Sequence, residues 1–381
     1  MTAIFTNIEF LDDATEKDVV ALIAQTVSKD AQYILVVIGS QSTVSIESIP
    51  AIAATTSVPV NACVIPGVVF GRHYSYSGTL ILGFKGPVTS LLIPDIGASH
   101  EVLCQQLQQF VATNGTYGSA GIFVDGLSHA VEPFIATVYE NLGSDRILIG
   151  AGVGDLNHPT NVSIANEQGC YRNAAIIFCY SNSFKLQVEG KHDLPQVAGP
   201  YLVTEASANL IHSLNYQPAA AVFSDAISAV RGIEISQDEI VQHIHSYPFG
   251  LKQLNEEYLV RDIIAVNGNS LLCVGNVAEN SLVYILNATQ DILITAASDA
   301  GKQFSQKLLP ATADQMRYVV LIDCISRALY LGNDYQLELD AICEQLPEGK
   351  ILAGVLSIGE IKNTCQGAIQ FLNKTIVLGG L

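Results

Sequence analysis

The sequence predicts a mixed α/β protein of two tightly associated domains, with mixed parallel and antiparallel sheets flanked by helices. Three observations carry this. Hydrophobic residues make up 49% of the 381 positions and charged residues only 14%, which supplies large cores and is unlike a disordered chain. Short β-branched runs ending near glycine alternate with amphipathic stretches, as strands alternate with helices in α/β proteins. Several of those runs follow one another with no helix between them, which requires antiparallel pairing beside any βαβ unit.

The elements follow in order. A helix is expected over 14–28, with Thr15 as N-cap and an apolar stripe of Val19, Val20, Leu22, Ile23 and Val27. YILVVIGS (33–40), VPVNACVIPG (58–67), TLILGF (79–84) and SLLIP (90–94) read as strands. GIFVDG (121–126) is a strand, 128–142 a helix with Ser128 as N-cap, and RILIGAGVGD (146–155) a strand entering a glycine turn. AAIIFCYS (174–181) and LQVEG (186–190) are further strands. Near the C-terminus YVVLIDC (318–324), the amphipathic YQLELDAICEQL (335–346) and ILAGVLSIGEI (351–361) form another strand–helix–strand unit. Such units recur at 33–67, 121–155 and 318–361, and right-handed crossovers make each a parallel pair. A helical joint around 218–235 divides the chain into expected domains 1–221 and 222–381, in keeping with roughly 150 residues per domain.

Charge and composition exclude several function classes. A net charge of −18 argues against nucleic acid, which needs a basic face, and reads as solubility. No apolar run approaches the ~20 residues that span a bilayer. The N-terminus lacks the basic and apolar regions of a signal peptide. Eight scattered cysteines with no C-x-x-C spacing point to a reducing compartment, so a cytoplasmic protein is expected.

Catalytic motifs are scarce. GAGVGD (150–155) is G-x-G-x-G-D rather than the dinucleotide fingerprint and reads as a tight turn. Neither a Walker A pattern nor a G-x-S-x-G elbow is present. HIH (243–245) is the only close histidine pair; zinc spacings are missing. No enzyme is therefore expected. Cys324 is the one thiol placed like a nucleophile, but the preceding Asp323 raises its pKa, so an inert thiol is expected.

Polar residues at strand ends are more informative. Asp125-Gly126, Gly152 and Asp155, Cys324 with Asp323, and Glu360 all close apolar runs, and α/β sheets bind ligands outside the carboxyl ends of their strands. Each alone reads as a cap or turn; together they outline a polar ligand pocket. Arg261 and Arg327 supply countercharge, either to a bound carboxylate or phosphate or to an acid of the chain itself.

A family resemblance rests on the order of several segments. These are FVDGLSHAVEPFI, GAGVGD, EGKHDLPQVAGPYLVTEASANLIHSLNYQPAAAVF, YPFGL, EYLVRDIIAV, LIDCISRALYLG, ILAGVLSIGEI and FLNKTIVL. Over about residues 30–381 the chain resembles the FIST sensory proteins, with an N-terminal and a C-terminal FIST domain in tandem. The resemblance implies a stand-alone sensor that binds a small ligand and regulates a separate signalling partner such as a histidine kinase. A stand-alone subset of the family resembles haem-based nitric-oxide sensors. Haem would need an axial His or Cys, and His192 and His245 are the candidate haem ligands. The alternatives are a sensor of an amino acid or other small organic ligand, and a non-catalytic interaction scaffold.

Overall fold

The computed structural model describes residues 4–86, 88–115, 117–143, 146–181, 186–253, 257–308, 316–363 and 369–380. It is a mixed α+β protein built on four sheets.

Three of the sheets have six strands and share one order: an edge strand, a return strand, two parallel strands, then a short hairpin. The first runs Phe5–Leu11, Thr79–Phe84, Tyr33–Gly39, Val60–Ile65, Ile164–Asn166, Gly169–Tyr171. The second runs Val88–Ile93, Ala175–Ser181, Tyr117–Asp125, Ile147–Val153, Glu360–Asn363, Ile369–Leu372. The third runs Gln187–Lys191, Ile376–Gly380, Tyr318–Cys324, Ile351–Ser357, Gly67–Phe70, His73–Ser75. The parallel pair in each is the expected strand–crossover–strand unit.

The closing hairpin of each sheet belongs to a different unit. The hairpin that follows Val60–Ile65 pairs with Ile351–Ser357. The one that follows Ile351–Ser357 pairs with Ile147–Val153, and the one that follows Ile147–Val153 pairs with Val60–Ile65. The exchange is cyclic. It satisfies the N–H and C=O groups that each second parallel strand would otherwise leave unpaired at a sheet edge.

The strand order explains the burial. Tyr33–Gly39 is buried at every position, as parallel strands covered on both faces are. On the inner faces, Val37 and Cys63 of the first sheet, Phe123 and Ala151 of the second, and Ile322 and Val355 of the third share one core. The outer faces are covered by helices. Glu16–Ser28 and Ile49–Ala54 cover the first sheet. His100–Asn114 and Val131–Leu142 cover the second. Gln290–Lys307, Ile325–Leu331 and Tyr335–Cys343 cover the third.

The fourth sheet is antiparallel and has eight strands. Its strands, from Gln196–Ser207 to Leu282–Leu286, interrupt the third unit between its edge strand and the helix Gln290–Lys307. The helix Ala219–Arg231 packs on it through Phe223 and Ile227. Position 221 lies inside this helix. Strands from both sides of that position share the second, third and fourth sheets, so the expected division at 221/222 does not separate two sets of sheets.

Local readings differ at two points. Thr15 caps its helix through a capping box with Asp18, as the sequence predicts, but Val20 faces solvent at 46% exposure. The helix expected from 128 starts at Val131. Ser128 instead closes the preceding turn: its N–H donates to the Asp125 carbonyl and its hydroxyl accepts from the Ala130 N–H. Among the described residues no helix is long and apolar enough to cross a membrane.

One contact fastens the second sheet to the hairpin it receives. The Gly152 N–H donates to the Gly359 carbonyl and the Ile358 N–H donates to the Gly152 carbonyl, both at 2.8 Å. A Cβ on Gly152 would stand 2.1 Å from the Ile358 carbonyl oxygen. Gly152→Ala is expected to destabilise the fold by the roughly 1–3 kcal/mol or more typical of overpacking, read as a lower urea midpoint; an unchanged midpoint would show that the contact carries no constraint.

Candidate functional site

A cavity of about 310 Å³ lies where the second sheet, the third sheet and the inserted fourth sheet meet. The second sheet contributes the turn Gly126–Ser128 and the start of the helix Val131–Leu142. The fourth sheet contributes Asp262, Ile264 and Cys273–Asn276. The third unit contributes Cys324–Ser326, Leu329 and the Ile358–Gly359 turn. The cavity therefore opens at the carboxyl ends of the strands Tyr117–Asp125, Tyr318–Cys324 and Ile351–Ser357, where an α/β sheet is expected to bind ligands.

Asp262 dominates its polar chemistry. The residue is 1% exposed, and neither carboxyl oxygen has a hydrogen-bond partner among the described residues. Its backbone N–H is held by the Asn373 side chain at 3.3 Å. The Lys374 ammonium, wholly buried, lies 3.4 Å from Oδ1. It is also 3.4 Å from the Ser326 hydroxyl and 5.9 Å from the centre of the Tyr330 ring. Buried acceptors are nearly always matched by donors; among the described residues Gln106, Ser163, Asn287 and Asp323 each leave one oxygen without a hydrogen bond, but Asp262 leaves both and is the one of these residues that lines the cavity.

The two arginines are structural. Arg327 donates to both Glu338 oxygens, at 2.9 and 2.8 Å, and to the carbonyls of Lys374 and Leu293 at 3.0 and 2.9 Å. Four of its five N–H groups are engaged, and it positions Lys374 by holding the backbone there. Arg261 pairs with Glu132 and donates to the carbonyls of Asn276 and Phe371, each at 3.0 Å. The other Glu132 oxygen accepts from the Asn276 N–H at 2.6 Å. This clamp ties the helix Val131–Leu142 to the inserted sheet. Neither guanidinium is free to hold a ligand anion, and their carboxylate partners are Glu132 and Glu338 rather than the strand-end acids alone.

Of the other residues singled out in the sequence, Gly126 and Cys324 line the cavity. The Cys324 thiol stands 3.1 Å from the Ser326 hydroxyl, and burial pushes its pKa far up, which makes it a poor nucleophile. Asp125 turns away to accept from the N–H groups of Asn173 and Leu127 at 2.8 and 3.2 Å, and burial raises its pKa. Asp155 pairs with His158 at 2.8 Å and accepts from the Asn157 N–H; it is a turn residue. Gly152 supports the cavity wall from behind.

Glu360 braces the floor, accepting from the Ser357 hydroxyl at 2.5 Å and from the Thr375 N–H at 3.1 Å. Burial pushes its pKa up to about 8.

The histidines separate. The His192 Nδ1 accepts from the Leu194 N–H at 3.2 Å, so Nε2–H must donate to the Tyr258 carbonyl at 2.8 Å. Both ring nitrogens are committed, and burial lowers the pKa further; His192 has no nitrogen to offer an iron. It lines a different cleft from His245. His245 stands at the mouth of the main cavity, where burial lowers its pKa against the opposing pull of Asp262. Among the described residues no group of three or more His, Cys, Asp or Glu is placed to hold a metal ion.

Glu360 yields a pH test. Its folded pKa lies above the unfolded value of about 4.3, so the native state holds a proton that the unfolded state has released. Stability from this residue is present below about pH 4.3 and is lost as pH rises towards 8. Glu360→Gln imitates the protonated form. The free energy of the variant relative to wild type should therefore rise steadily from pH 5 to 8 in urea titrations; a constant difference would contradict the buried neutral acid.

The sequence pattern of the FIST N domain matches residues 32–217, and that of the FIST C domain matches residues 219–363. Together they account for most of the chain, and the cavity is walled from both. No curated protein matches the sequence. FIST domains are sensory domains of signal transduction. Two such domains in tandem, in the order that the segments around Asp125, Asp262 and Glu360 led us to expect, place this chain in the FIST family.

Proposed function

We propose that this protein is a sensor that binds a small organic ligand in the cavity between its FIST N and FIST C regions. The Asp262 carboxyl group is the observation that supports this most strongly. A buried polar group left without a hydrogen bond costs about 1–3 kcal/mol, and the fold hydrogen-bonds Arg261, Arg327 and Glu360 nearby while giving the Asp262 oxygens no hydrogen bond and only an ion pair with Lys374 at 3.4 Å. A ligand that donates hydrogen bonds removes that cost on binding. The volume is at the lower end of small-molecule pockets, which run from about 300 to 1,000 Å³.

The lining favours binding over catalysis. Burial holds its two thiols, Cys273 and Cys324, protonated, and the Ser326 hydroxyl is met at 3.4 Å by the Lys374 ammonium acting as a donor rather than as an activating base. Because the walls come from three sheets, occupancy bears directly on how the two FIST regions pack. That packing is the signal we infer is read by a separate signalling protein.

The residues do not fit haem. His192 has no free nitrogen, burial holds the Cys324 thiol protonated, and His245, the candidate that does line the cavity, shares it with the Asp262 carboxyl, an acceptor that would oppose the carboxylates of a porphyrin. An organic ligand with donor groups is the better supported reading.

Thermal unfolding against a panel of free amino acids, amines, alcohols and carboxylic acids tests it. A true ligand at a hundred times its Kd adds about 2.7 kcal/mol to stability, a clear rise in midpoint. The rise should vanish in Asp262→Asn, with cooperative unfolding retained. A variant that responds like wild type would place the ligand elsewhere.

A further inference from the structure

The ligand reading leaves the ligand's chemistry open, and the cavity narrows it. Resting on that reading, we propose that the ligand is an amphipathic primary amine, its ammonium head on Asp262 and its apolar body reaching out to a rim formed by Leu156, Ile264 and Leu329.

The head follows from Asp262. Its two oxygens offer acceptor sites and no donor. A carboxylate or phosphate would bring more acceptors to them, whereas an ammonium brings three donors and no acceptor. Lys374 does not fill this role. It forms a buried ion pair with Oδ1 at 3.4 Å from outside the cavity lining, makes no hydrogen bond to either oxygen, and is shared with Ser326 and the Tyr330 ring. The surrounding thiol of Cys324 is neutral, and the net charge of −18 favours the approach of cations.

The body follows from the walls. The cavity is also lined by Val131, Ile358 and Phe371. At its mouth stand Leu156, Ile264 and Leu329, which are 43%, 45% and 61% exposed. Single exposed apolar residues are ordinary on a protein surface. Here three, from three separate segments, converge on the opening of one cavity whose interior is also apolar. A ligand tail leaving the cavity would cover them.

Calorimetric titration of the full chain with n-butylamine, n-hexylamine, n-hexanol and hexanoate provides the test. Hexylamine is expected to bind at least tenfold more tightly than hexanol, and hexanoate not to bind. Affinity should rise about fourfold per methylene from butylamine to hexylamine, the value for burying a CH₂ group. Asp262→Asn should remove the preference for the amine. Leu329→Asp, at a position 61% exposed, should flatten the chain-length dependence. Equal binding of hexanol or hexanoate, weakened by Leu329→Asp, would overturn the amine head while leaving the cavity as the ligand site. Binding that neither substitution alters, or none by any of the four, together with a silent thermal panel, would overturn both.

Discussion

Each of the three parallel strand pairs ends in a second strand whose outer edge lies inside the protein and must be hydrogen-bonded. The rest of the fold follows from how that edge is closed. Each unit sends its hairpin to the next, so Val60–Ile65, Ile147–Val153 and Ile351–Ser357 are all completed by strands from elsewhere in the chain. No six-stranded sheet is complete within its own unit. The contact distances demanded by the exchange explain why glycine stands at 152, where a side chain would meet the incoming carbonyl.

The same exchange shapes the cavity. The Ile358–Gly359 turn that begins one hairpin is also a wall of the site. Around it the buried charges are arranged to hold backbone in place: Arg327 fixes the carbonyls of Lys374 and Leu293, and Arg261 binds Glu132 and two carbonyls. Among the groups lining the cavity, the Asp262 carboxyl stands out because neither oxygen is hydrogen-bonded and its counter-ion, Lys374, is 3.4 Å away. Buried ionic groups such as Arg327 and Glu338 are weak evidence of function; an unmatched one lining a cavity is stronger.

Much of the fold could be read from sequence because hydrophobic period carries it. YILVVIGS, GIFVDG and YVVLIDC are continuous apolar runs, and each became the first strand of a parallel pair. The hairpin exchange could not be read, since pairing between residues 67–75 and 351–357 leaves no local trace. At the site, Gly126 and Cys324 were found because they close strands. Arg261 and Arg327 were found as charges within apolar runs, but their partners lie far away in sequence or on another element. Asp262 and Lys374 were missed although the signal was there: VRDIIAV and FLNKTIVL each bury a charge within an apolar run, and such residues are rarely buried unless paired or functional. His192 was singled out by its segment and proved to be a backbone brace.

The central claim is that the Asp262 carboxyl is the acceptor for a ligand's donor group. A crystal structure of the protein grown with hexylamine tests it most directly. The account predicts a nitrogen within about 3 Å of an Asp262 oxygen, with the carbon chain running past Leu329. A structure in which the Lys374 ammonium closes onto Asp262, and the amine lies elsewhere or is absent, would contradict it.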